Sequence, residues 1–148
     1  MIRRIAISLS VIAGCMSAAA FAADDPITAR KDLMKSMGAA AGVGGGMIKG
    51  EIPFDPKVAN LVLATANAVS HSLGNFFPEG SDSGMDTTAS PKIWEDMGGF
   101  SQRVSDLQAD TQAAVDSKPA DLEAFKTAFG SIAENCKGCH ENYRVKKN

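Results

Sequence analysis

Three times along this chain a capping side chain stands directly before a proline: Asp25-Pro26, Asp55-Pro56 and Ser90-Pro91. Each pair spells the start of a helix. The side chain satisfies orphan N–H groups, and proline suits a first turn whose N–H would go unused. A fourth start lies near Ser117 to Pro119. Between these starts apolar residues step by three and four, and no stretch shows the period-two alternation of a strand. The spacing predicts helices over about 26–49, 56–76, 91–116 and 119–144. The first inward stripe runs Ile27, Arg30, Met34, Met37, Ala41, Gly44 and Ile48. The second takes Val58, Leu61, Thr65, Ala68, Ser72 and Phe76, and the third runs from Ile93 through Met97, Phe100, Val104, Leu107 and Thr111 to Ala114. The expected fold is all-α, an antiparallel up-down-up-down four-helix bundle.

Two stretches resist this scheme. Phe77 to Ala89 reads as a long connecting loop and the most mobile part of the chain. The run Gly42-Val43-Gly44-Gly45-Gly46 costs about 1 kcal/mol per glycine in a helix. It either breaks the first helix or lets a neighbour approach closely.

The fourth stripe carries the chemistry: Leu122, Phe125, Phe129, Ile132, Cys136, Cys139 and Tyr143. Its last turns contain Cys136-Lys137-Gly138-Cys139-His140, the spelling of covalent haem attachment. Each thiol adds to one haem vinyl group, and the adjacent imidazole faces the iron as its proximal ligand. On a helix all three side chains leave one face, here the inward one. The competing readings are a redox dithiol or half a zinc site. A zinc site would draw only on Cys136, Cys139, His71 and His140, in no familiar spacing.

Residues 1–22 read as a cleaved secretory signal peptide. Arg3 and Arg4 precede the apolar run Ile5 to Ala13, and Ala20-Phe21-Ala22 forms an A-x-A cleavage site. The expectation is a periplasmic protein with one domain over 23–148. A lipoprotein box ending at Cys15 is the alternative, giving a lipid-anchored chain. With Cys15 removed, the two motif cysteines are the only ones left. An oxidising compartment would not leave them as an idle dithiol, a tension that covalent haem resolves. Loss of two arginines and no acids leaves 13 basic against 17 acidic residues, so no basic field points to nucleic acid. Nothing beyond residue 23 approaches the length of apolar chain that a membrane span needs.

Opposite His140, an up-down-up-down bundle brings the start of the first helix. Met34 lies about 12 Å along that helix at 1.5 Å per residue, a level similar to His140. Met37 is a turn deeper, and Met97 on the third helix reaches a comparable depth. His71 falls off the inward stripe. Arg30 is the other unusual residue, since an inward arginine needs a partner or must snorkel to solvent. Haem carboxylates would supply that partner.

Taken together, these stretches resemble a class II c-type cytochrome, the cytochrome c′ family and its low-spin Met-ligated relatives. The resemblance rests on Arg30-Lys31-Asp32-Leu33-Met34, Lys49-Gly50-Glu51, Pro91-Lys92-Ile93-Trp94-Glu95-Asp96 and Cys136 to Arg144. It implies one haem c, bound through Cys136 and Cys139, with His140 on its iron. It also implies that the residue four after the arginine governs the distal side, so that Met34 is the expected second iron ligand. Arg30 and Arg144 are implied to lie beside the haem. The implied activity is single-electron transfer with redox partner proteins, without enzymatic turnover. The family's alternative is a five-coordinate haem that binds nitric oxide or carbon monoxide. A homodimer through the first two helices is also consistent with the resemblance.

Overall fold

The computed structural model describes residues 25–146. The expected signal peptide and Cys15 lie outside them. Helices run over α1 (Pro26–Lys49), α2 (Pro56–Leu73), α3 (Lys92–Glu95), α4 (Met97–Ser117) and α5 (Leu122–Tyr143), with a 3-10 turn at Gly74–Phe76 after α2. Among the described residues the β pairing is a single isolated bridge, between Ala89 and Arg144.

The caps act as their residue types dictate. Asp25 accepts the Thr28 N–H at 2.8 Å, and Asp55 accepts those of Lys57 at 2.7 Å and Val58 at 3.1 Å. Helix α1 ends at Gly50, whose φ of 75° puts it in the left-handed region that favours glycine. The fourth long helix starts later than expected. Pro119 is buried, and Asp121 caps α5 by accepting the Ala124 N–H at 2.8 Å.

Helix α1 is unbroken through its glycines. At Gly44 a Cβ would stand 2.7 Å from Cε2 of Phe129, so the ring lies directly on the α1 backbone. Gly46 plays the same part for Ile52. Gly42 and Gly45 face open space, and nothing in the structure explains them.

Two expectations are corrected. The predicted third helix divides at Asp96, where φ −134° and ψ 55° leave the helical region. The Asp96 carboxylate caps the new start by accepting the Gly99 N–H at 3.1 Å. Gly98 and Gly99 also weaken any continuous helix there. The second correction concerns α2, which buries Ala59, Val62, Leu63, Ala66, Val69, Ser70 and Leu73 instead of the predicted stripe. Val58 and Leu61 face outward, Leu61 at 66% exposure. The buried residues of α2 step by three and four along one face, with Lys57, Asn60, Asn67 and His71 lying off it, so the predicted stripe was set to one side of the true apolar face.

The packing is a ring, α1 on α2, α2 on α4 and α4 on α5, closed by a much sparser seam between α1 and α5. One apolar cluster fills most of the bundle, with Leu63, Leu107, Phe125 and Ile132 at its heart. A second, around Ile93, Phe100, Val104 and Tyr143, fills the end where α5 finishes.

Candidate haem attachment site

Cys136 and Cys139 are free thiols, both half-buried on α5. Cys136 packs against the large cluster and Cys139 against the smaller one, so the pair straddles the boundary between them. Burial pushes both thiols above their ordinary pKa; at Cys139 the neighbouring Cys136 acts in the same direction and the Arg103 charge opposes it. His140 follows at the exposed margin of this face. Partial desolvation and then the Arg144 charge lower its pKa, which keeps the imidazole neutral and its lone pair available to a metal.

Met34 borders the same large cluster as Cys136, half-buried, on the helix across the sparse α1–α5 seam. Its rivals stand differently. Met37 is packed into the cluster at 7% exposure, and Met97 is 38% exposed at the start of α4. Met47 is fully buried near the other end of α1. The donor set thus fits a covalently held haem: two thiols one turn apart, an adjoining neutral imidazole, and a thioether on the facing helix. Among the described residues, no three His, Cys, Asp or Glu side chains gather as a bare metal site would require.

Arg30 is 4% exposed and does not snorkel. Its Nη1 donates to the Phe76 carbonyl at 3.2 Å and to Ser81 Oγ at 2.9 Å. Its Nη2 donates to the Ser81 carbonyl, and to Thr87 Oγ1 at 2.9 Å. The guanidinium also lies 5.1 Å from the Phe77 ring centroid and 5.7 Å from that of Trp94. Desolvation lowers its pKa, but an arginine stays charged throughout the accessible range. Arg144 is the exposed residue that ends α5, bridged to Ala89.

The Phe77–Ala89 connection, expected to be a plain mobile loop, is therefore fastened from within. Trp94 adds its indole N–H to the Pro78 carbonyl at 3.0 Å. A further contact went unread in the sequence: Tyr143 donates its hydroxyl to Asp96 at 2.7 Å, pinning the last turn of α5 to the α3–α4 corner. Asp96 three residues before Gly99 is an N-cap spelling, and it was the only local signal.

The comparisons with known proteins identify the family. The cytochrome c′ family model matches residues 25–144. A cytochrome c′ of Rhodopseudomonas palustris is 38% identical, over 94% of this chain and 97% of its own. A cytochrome c-556 of Agrobacterium fabrum is 30% identical over 95% of each chain. The solved cytochrome c′ from Rhodopseudomonas palustris superposes with a TM-score of 0.80, covering 85% of this chain and all of that one at 38% identity. Family members carry one covalently attached haem c with iron, and this chain carries the Cys136-Lys137-Gly138-Cys139-His140 motif. By fold, by motif and by descent, the chain belongs to the cytochrome c′ family of class II c-type cytochromes.

Proposed function

We propose that this protein is a periplasmic carrier of single electrons, whose haem is held by Cys136 and Cys139 and whose iron is ligated by His140 and Met34. Bound there, the haem supplies a one-electron ferric/ferrous couple, and His/Met ligation favours the ferrous form. Relationship alone does not choose between a carrier and a protein with an open distal side, since relatives named cytochrome c′ and cytochrome c-556 both match. One observation carries the choice: Met34 packs against the same cluster as Cys136, on the helix that shares the α1–α5 seam with it. A methionine is polarizable and unbranched, so its thioether adapts to an irregular site. Export follows from the N-terminal pattern of Arg3, Arg4 and Ala20-Phe21-Ala22. Redox proteins are its partners in this reading, and the exposed α2 stripe of Val58 and Leu61 offers a second copy a face to pack on.

The test uses protein matured with covalent haem. Met34→Ala should convert a low-spin spectrum into a high-spin one and open the iron to carbon monoxide. An unchanged spectrum would move the ligand to Met97 or Met37.

A further inference from the structure

The α1–α5 seam is sparse, yet the ligand assignment requires α1 to hold a thioether steadily opposite α5. Helix α1 packs along α2, and a further tie on its first turns is Arg30. It lies one helical turn before Met34, on the same face. Its four terminal N–H groups are engaged by Phe76, Ser81 and Thr87, leaving only Nε–H of the five guanidinium donors. Two aromatic rings flank it, and Trp94 and Phe77 in turn pack against the cluster that Cys139 borders. The chain of contact therefore runs from α1, through the 76–87 segment and α3, to the haem-bearing turn of α5.

We propose that Arg30 is a positioning residue for Met34: it fastens the 76–87 segment to α1 and so holds the thioether on the iron against competing ligands. The proposal rests on the His140/Met34 reading. Two variants test it from opposite sides of the same contact. Arg30→Lys replaces the fork by a point charge. The double variant Ser81→Ala with Thr87→Ala removes two acceptors while leaving Arg30 in place.

Both are measured as holoproteins by carbon monoxide uptake of the ferrous form and by limited proteolysis within residues 78–89. The expected result is the same for both: a roughly tenfold rise in the carbon-monoxide-accessible fraction, the scale of one lost buried hydrogen bond. Cleavage in the loop should rise in parallel. If Arg30→Lys opens the iron but the double variant excludes carbon monoxide and resists protease like the parent, Arg30 acts on the haem directly and the proposal falls. It falls equally if neither variant differs from a parent that excludes carbon monoxide. If the parent itself binds carbon monoxide at once, the ligation reading fails first and takes this proposal with it. Should Arg30→Lys fail to fold, the double variant decides alone.

Discussion

Asp96 takes two donors at once, the Tyr143 hydroxyl on one oxygen and the Gly99 N–H on the other. First the Tyr143 bond and then the Gly99 bond hold its pKa below the usual carboxylate value. The same contact, seen from the phenol, raises the Tyr143 pKa. A carboxylate with a depressed folded pKa contributes stability that is complete above its unfolded value and lost as pH falls through the folded one. Asp96→Asn should therefore destabilise the holoprotein at neutral pH, with the gap to the parent closing as unfolding is followed into acid. A gap constant across that range would show that the charge is irrelevant. Tyr143→Phe keeps the ring against Phe100 and removes only the hydroxyl; carboxyl NMR should then find Asp96 titrating closer to an ordinary aspartate. At Gly99 a Cβ would stand 2.7 Å from the Tyr143 hydroxyl, which is why so small a residue follows the cap.

At the scale of the element, the glycines of α1 separate into those that pack and those that do not. Gly45→Ala meets nothing within 4 Å and removes a helix-interior glycine, so it should stabilise by about 0.5–1 kcal/mol. Gly44→Ala gains the same propensity but drives a methyl into the Phe129 ring, and its melting temperature should fall below that of Gly45→Ala. Equal melting temperatures would mean that the ring moves aside freely. The helix starts at Pro26 and Pro56 were legible because each is written locally, in a cap and a proline. The inward face of α2 was misplaced although its pattern is periodic: Ala59, Val62, Leu63, Ala66, Val69 and Leu73 keep helical spacing, while the predicted stripe took in Thr65 and Ser72. The break at Asp96 was hidden for a related reason: Ile93 and Phe100 keep helical spacing across it, and the tyrosine that rewards the break lies 47 residues away.

Across the whole molecule, the haem-bearing end is built by contacts between distant segments. The attachment motif could be read directly, because covalent chemistry fixes its spacing, whereas helix register left Met34, Met37 and Met97 open and only the family resemblance pointed to Met34. The acceptors of Arg30 could not, because they lie 46 to 57 residues further along in a stretch with no periodic pattern. An inward arginine announces only that a partner exists. In the structure that partner is the connection from α2 to α3, which ties the first helix to the cluster beside Cys139. No helix among the described residues is long and apolar enough to cross a membrane. Whether Met34 occupies the iron opposite His140 is read from the optical spectrum of the reduced, haem-loaded parent before and after carbon monoxide. Sharp low-spin bands that the gas leaves unchanged at neutral pH are the predicted result. Immediate conversion to a carbon monoxide complex would contradict it.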